Sequence, residues 1–236
     1  LLSGDVFGGY SLPSIFDDDE KMISQYLSFS RKYLVNVIGH YRQHVIKNIE
    51  KLGNLKIKIL APLHGLVWRN TPQKIINCYF NWAKGIPEKG KIVVVFGSMY
   101  GFMEEAIGFL VQILQEQGYR TLVFKFTDKA YDSLSDALGE IVDSEGLVLG
   151  CSIYENEIFP YMRYFLSLLL EKVDVQKPVL VVTSYGWSRV ARKKIEEIFA
   201  HTNFKIVEIV DFKGKLNGEI EKSINCALEK FISSLT

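Results

Sequence analysis

The sequence predicts an α/β protein whose larger part is a doubly wound parallel sheet of five strands in the order 2-1-3-4-5, preceded by a partial αβ segment. Three observations carry this expectation. From Lys91 onward, apolar strand-like runs alternate with helical patterns, as in βαβ units joined by right-handed crossovers. The first run, Ile92–Phe96, is apolar without a break, as a strand buried on both faces must be. Residues 1–83, by contrast, offer two strand-like ends and two helices, too little to cover both faces of a sheet.

In chain order, Leu1-Leu2-Ser3-Gly4-Asp5 reads as the end of a strand, so the pattern opens mid-element and suggests sequence upstream. Asp17-Asp18-Asp19-Glu20 reads as a solvated loop or helix start. A long helix is expected from about Ser28 to Leu52, with Leu34, Ile38, Tyr41, Val45, Ile49 and Leu52 forming one buried stripe. His40 and His44 lie on the flank of that stripe and are expected to face solvent or a partner. Lys56–Leu60 is strand-like, and Pro72–Ala83 reads as a second helix. The Gly-, Pro- and charge-rich segment from Lys84 to Gly90 is the linker candidate, giving domains 1–84 and 85–236.

In the second half the strands are expected at Ile92–Phe96, Thr121–Phe126, Gly146–Gly150, Val179–Thr183 and Lys205–Val210. Helices are expected near 102–117, 129–142, 159–172, 187–200 and 217–234. Pro160 suits the first turn of the third helix, and Asn217 suits the cap of the fifth.

Composition narrows the function classes. Of 236 residues, 48% are hydrophobic, enough for a sizeable core, and the net charge of +1 with no basic stripe argues against nucleic acid. The three cysteines, Cys78, Cys151 and Cys226, form no C-x-x-C pair and read as reduced thiols, hence a cytoplasmic protein. No charge-free apolar run of about eighteen residues is present, so no membrane span is expected.

The chemistry gathers at strand ends. Ile92–Phe96 runs into Gly97-Ser98-Met99-Tyr100-Gly101 and then a helix from about Phe102. Such a turn aims backbone N–H groups and the positive end of a helix at one point, a cradle for phosphate. It lacks the Lys of a nucleoside-triphosphate loop, which suits it to a terminal monophosphate such as that of flavin mononucleotide (FMN). In an open parallel sheet the ligand sits where strand order reverses, between the first and third strands here. Ser152, Tyr154 and Asn156 after the third strand offer a hydroxyl, a ring and an amide to a flavin. Tyr185 or Trp187, after the fourth, could stack on its other face. The same glycines also suit a tight turn, and an aromatic after a strand also suits packing.

The strings Gly97-Ser98-Met99-Tyr100-Gly101, Gly150-Cys151-Ser152-Ile153-Tyr154-Glu155-Asn156 and Ser184-Tyr185-Gly186-Trp187-Ser188 resemble the three flavin loops of flavodiiron proteins (A-type flavoproteins). The resemblance covers the whole chain. It implies a flavodoxin-like domain holding FMN, preceded by the C-terminal part of a metallo-β-lactamase-like diiron domain. The phosphate would lie around Ser98–Met103, and Tyr154 and Trp187 near the ring. Three positions depart from the family pattern: Met103 and Ile153 where threonine is usual, and Phe102 where a small or amide residue is usual. Each hydroxyl lost is worth about 1.5–3 kcal/mol against a charged partner, roughly one to two decades of affinity, so weakened FMN binding is implied.

In the first half, Asp5 and His64 follow strand-like ends, and Asp and His suit a hard or borderline metal. A lone His beside Gly65 equally suits a hydrogen-bonded turn. Leu1-Leu2-Ser3-Gly4-Asp5-Val6-Phe7-Gly8-Gly9 and Ala61-Pro62-Leu63-His64-Gly65-Leu66-Val67-Trp68-Arg69 resemble the family's bridging-aspartate and last-histidine motifs, which makes Asp5 and His64 the implied iron ligands. The family's H-x-E-x-D-H cluster is absent, so a diiron centre is expected only with a complementary N-terminal half.

The implied function is electron transfer through FMN, from a donor protein or reduced cofactor to a diiron site that reduces dioxygen or nitric oxide. The implied assembly is a head-to-tail homodimer, or a complex with a chain carrying the missing half. The alternative is a non-catalytic assembly module that has lost its flavin and docks a separate partner.

Overall fold

The computed structural model describes residues 1–236 except Leu12, Asn54 and Thr236. It divides into two compact units: residues 1–86 with 138–143 and 171–173, and residues 87–137, 144–170 and 174 onward.

The second unit is built on β1 (Lys91–Ser98), β2 (Arg120–Thr127), β3 (Gly146–Tyr154), a short β4 (Glu157–Ile158), β5 (Lys177–Tyr185) and β6 (Phe204–Lys213). The parallel order is β2-β1-β3-β5-β6, with β4 antiparallel to β3. Apart from that two-residue strand, this is the expected 2-1-3-4-5 order. Every residue of β1 is buried. Ile92, Val94 and Phe96 join Val148, Leu180 and Val182 in one core under the helices Phe102–Glu116 (α4) and Gly218–Ser233 (α8). Burying a Val or Ile side chain is worth about 1.5–3 kcal/mol, so this strand settles at the sheet centre. Pro160 opens the helix Pro160–Lys172 (α6). Asn217 caps α8 by accepting from the Glu219 and Ile220 amides at 3.1 Å each.

Two expectations in this unit change. The helix expected from 129 starts at Leu134 and ends at Ile141 (α5). The Thr127 hydroxyl takes the Ala130 amide at 3.0 Å, and Asp132 takes the Lys125 amide at 2.7 Å, which holds 128–132 as a loop. Strand β3 runs four residues past Gly150, because Glu155 and Asn156 adopt φ of 48° and 60° and turn the chain back as β4.

In the first unit the two expected strands are isolated bridges, Leu2↔Ala61 and Leu60↔Trp68. Most of Lys56–Leu60 is exposed, so its alternation gains no buried face. The long helix begins earlier than Ser28, at Glu20 (α1, Glu20–Tyr33), and is interrupted by a π turn (Leu34–Ile38) and a 3₁₀ turn (Gly39–Tyr41) before α2 (Arg42–Leu52). These turns shift the phase of the helix. Tyr41, expected in the stripe, is exposed, and Arg42 is buried instead, its Nη1 donating to the Ala83 carbonyl at 2.8 Å. His40 and His44 are exposed. The second helix spans Pro72–Lys84 (α3) and ends on Gly85 in the left-handed region.

Of the two readings of the acidic run, the helix start holds, with Asp19 and Glu20 opening α1, and the solvated loop does not. Asp17 is 1% exposed. Its carboxylate accepts from the amides of Arg69 (2.7 Å), Asn70 (3.0 Å) and Thr71 (2.6 Å) and from the Thr71 hydroxyl (2.8 Å). Asp18 pairs with the Arg69 guanidinium at 2.9 and 2.5 Å. Asp19 caps α1 by accepting from the Lys21 and Met22 amides. Burial raises the Asp17 pKa, but the hydrogen bonds from Asn70, Arg69 and Thr71 outweigh it and hold the carboxyl below its ordinary value. A depressed carboxyl stabilises the fold above the unfolded value of about 3.9, and that contribution disappears as pH falls through the folded value. Asp17→Ala is expected to cost about 3 kcal/mol at pH 7 by orphaning buried amides. Urea unfolding followed by tryptophan fluorescence should show this, with the gap to wild type narrowing below about pH 4.

Candidate functional site

A cleft of about 340 Å³ opens at the carboxyl ends of β1, β3, β5 and β6, within the roughly 300–1,000 Å³ common for small-molecule sites. It lies where strand order reverses, because β2 and β3 flank β1 on opposite sides. Its walls are Ser98, Met99, Tyr100, Phe102 and Met103 after β1; Ser152, Ile153, Tyr154, Glu155 and Asn156 at the end of β3; Ser184, Tyr185, Gly186, Trp187 and Ser188 after β5; and Lys213 and Gly214 after β6. Of the sequence-expected flavin residues, Gly101 alone is off the wall. Lys213 and Gly214 were missed, although they too directly follow a strand and the same strand-end rule points to them.

The glycines separate by role. A Cβ on Gly97 would stand 2.6 Å from Met162 Cγ and 2.8 Å from Phe159 Cδ1, so Gly97 serves the close seating of α6. Gly101 has φ of +86° with open space around its Cβ position, so it serves the turn. The Ser98 hydroxyl, 2% exposed, accepts from the Gly101 amide at 3.2 Å and keeps its own proton to donate. No side chain caps α4 at Gly101. The first intrahelical bond runs from the Glu105 amide to the Gly101 carbonyl, which leaves the amides of Phe102, Met103 and Glu104 ahead of the ladder. Met103 itself is buried in the core, with its sulfur 3.0 Å from where a Cβ on Gly150 would lie.

On the opposite wall, Ser184 Oγ donates to Ser152 Oγ at 3.2 Å, and Ser152 Oγ donates to the Gly97 carbonyl at 2.8 Å. This relay ties the ends of β1, β3 and β5 together. Arg189 Nε donates to Tyr185 Oη at 2.7 Å, and its guanidinium carbon lies 4.9 Å from the Tyr185 ring centre. Trp187 is 88% and Tyr100 80% exposed, so two large rings stand in solvent beside the cleft. Cys151, under the floor, is fully buried, and burial pushes its thiol up to about 12.

In the first unit the structure brings Asp5 and His64 together, with Nε2 3.6 Å from Oδ1. The Tyr33 hydroxyl donates to the same carboxylate oxygen at 3.2 Å. Burial first, and then the Asp5 charge, push the Tyr33 phenol up to about 12. The loops carrying the pair are packed on Tyr26, whose Oη accepts from the Leu66 amide at 3.2 Å. A Cβ on Gly65 would fall 2.0 Å, and one on Gly9 2.5 Å, from that oxygen. Among the described residues no group of three or more His, Cys, Asp and Glu side chains is placed to hold a metal. No helix of the described residues is long and apolar enough to cross a membrane.

The strand order and the cleft at its reversal define the class, an α/β protein of flavodoxin-like fold. Comparison with known proteins narrows it: along its whole length this chain is similar to flavodiiron proteins. A flavo di-iron protein of Thermotoga maritima, solved as a point mutant, superposes with a TM-score of 0.93 at 40% identity, covering 100% of this chain and 58% of that one. A nitric oxide reductase of Moorella thermoacetica is 29% identical over 199 residues, 84% of this chain and 49% of that protein. The rubredoxin oxygen:oxidoreductase of Desulfovibrio gigas shares the fold at 21% identity, with a TM-score of 0.89 over 99% of this chain and 58% of that one. The chain thus spans about half the length of the curated relatives it matches. No protein-family model matches it.

The serine relay and the exposed indole give opposite expectations for stability. Ser152→Ala, which orphans the buried end of the relay, is expected to cost about 1 kcal/mol. Trp187→Ala should stay within about 0.5 kcal/mol of wild type. Paired urea titrations check both.

Proposed function

We propose that the chain is the FMN-carrying part of a flavodiiron-type oxidoreductase, relaying electrons from a reductase to a diiron site that reduces dioxygen or nitric oxide. The observation that carries the proposal is the donor set of the cleft. Uncapped amides at the start of α4 and the Ser98 hydroxyl suit a terminal phosphate. The exposed Trp187 and Tyr154 suit the two faces of a flat ring. Bound FMN would supply the redox chemistry, accepting electrons from the donor and handing them on. The chain's own residues would bind, orient and exclude water: the α4 amides and Ser98 fix the phosphate, and the β3–β4 turn closes one face of the ring. Trp187 would cover the ring from the β5 loop, where Tyr185 is held by Arg189. Met103 and Ile153 leave two hydroxyls out of this set, so the amides carry more of the binding.

For the iron, Asp5 and His64 would each give one ligand, and the remaining ligands would come from sequence outside these 236 residues. A head-to-tail homodimer, or a complex with a chain bearing the other half, is the corresponding assembly. The names of the relatives, nitric oxide reductase and oxygen:oxidoreductase, support the reaction class.

Titration with FMN, followed by quenching of its fluorescence, is expected to give one flavin per chain. Trp187→Ala should weaken binding about fivefold, from the loss of about 1 kcal/mol of ring stacking. A protein that stays colourless after incubation with FMN overturns the carrier reading in favour of an assembly module. Iron analysis of this chain alone is expected to give well under two irons per chain; two bound irons would refute the division of ligands.

A further inference from the structure

Two charged side chains line the cleft among the described residues, Glu155 on the β3–β4 turn and Lys213 at the end of β6. They follow β3 and β6, which lie two strands apart in the sheet. Lys213 is exposed. In register it is the partner of Tyr185 on β5, so it neighbours the loop that carries Trp187. Neighbouring strands lie about 4.8 Å apart, and β6 is three strands removed from β1, roughly 14 Å across the sheet. The phosphate loop follows β1, so the Lys213 ammonium belongs to the ring end of the cleft and not to the phosphate end.

Resting on the flavin reading above, we infer that Lys213 is the residue that tunes the bound flavin electrostatically, favouring the reduced ring over the oxidised one. The balance is simple. At neutral pH an oxidised isoalloxazine takes up two electrons and one proton, which leaves one net negative charge on the reduced ring. Lys213 makes no bond; it acts as a fixed positive charge, worth more against the anion than against the neutral ring. Glu155, on the β3–β4 turn, carries the opposite charge, and the Arg189 guanidinium, which donates to Tyr185 Oη at 2.7 Å, adds a second positive charge beside a wall residue. Of the two cations, Lys213 is the one on the wall itself. Both are open to solvent, so added salt weakens the effect.

The test measures affinity for oxidised and reduced flavin, with dithionite as reductant, for wild type, Lys213→Met, Lys213→Arg and Lys215→Met, using FMN and riboflavin. Lys213→Met is expected to lower the preference for the reduced ring about tenfold, a fall of about 30 mV in the two-electron midpoint potential. The loss should be the same for FMN and riboflavin. Lys213→Arg keeps the charge and should keep the potential. Lys215→Met, two residues on and off the cleft wall, should match wild type. An equal loss for oxidised and reduced FMN with riboflavin unaffected would place Lys213 on the phosphate and overturn the inference, as would no change at all. Wild-type protein that binds neither flavin would instead refute the flavin reading itself, and the inference with it. Circular dichroism on each variant separates these outcomes from misfolding.

Discussion

The second unit depends on one constraint, the burial of β1 on both faces. Ile92 to Phe96 are within 3% of complete burial, and no polar side chain in that run could tolerate an edge. A strand of this kind takes the middle of a parallel sheet, and right-handed crossovers must then cover both sides. The chain leaves β1 for β2 on one side and returns through β3 on the other. That reversal opens the crevice, and the helix that follows β1 aims its uncapped amides into it. The binding cleft is therefore a consequence of how the core is buried. Its aromatic and hydroxyl lining supplies only the choice of ligand.

The same constraint explains what could be read in the sequence. Apolar-rich runs named all five main strands, most plainly β1, which is buried along its whole length, while the outer strands β2 and β6 interleave Lys125 and Glu208 and are partly exposed. Periodicity placed the helices that cover them to within a few residues, apart from α5. The end of β3 was not legible: Glu155 and Asn156 occupy positive φ, where glycine would have announced the turn. Lys213 carries no motif of its own; only its place at the end of β6, a fourth strand end, marks it. In the first unit, periodicity assumed a continuous helix, and the π and 3₁₀ turns exchanged Tyr41 for Arg42 at the buried face. Asp17 was unreadable for a different reason. The amides that bury it come from residues 69–71, more than fifty positions along the chain.

The two candidate sites stand at different stages of completion, for chemical reasons. Every wall of the cleft comes from strand ends of a single sheet, three of which are held together by the relay from Ser184 to Ser152 to Gly97. Phosphate and a flat ring ask for amides, hydroxyls and aromatic faces, all of which such ends can offer. A metal asks for more. A borderline transition metal takes four or more donors with deprotonated or neutral ligand atoms. Asp5 and His64 offer one oxygen-bearing and one nitrogen-bearing side chain, both largely open to solvent. Their positions are supported by packing of the loop glycines on Tyr26 and by the Tyr33 hydroxyl on Asp5. Among the described residues no further His, Cys, Asp or Glu side chain joins the pair to make a metal-holding group. Any hold on iron would need donors beyond this pair, whereas the lining of the cleft is drawn from the strand ends of one sheet.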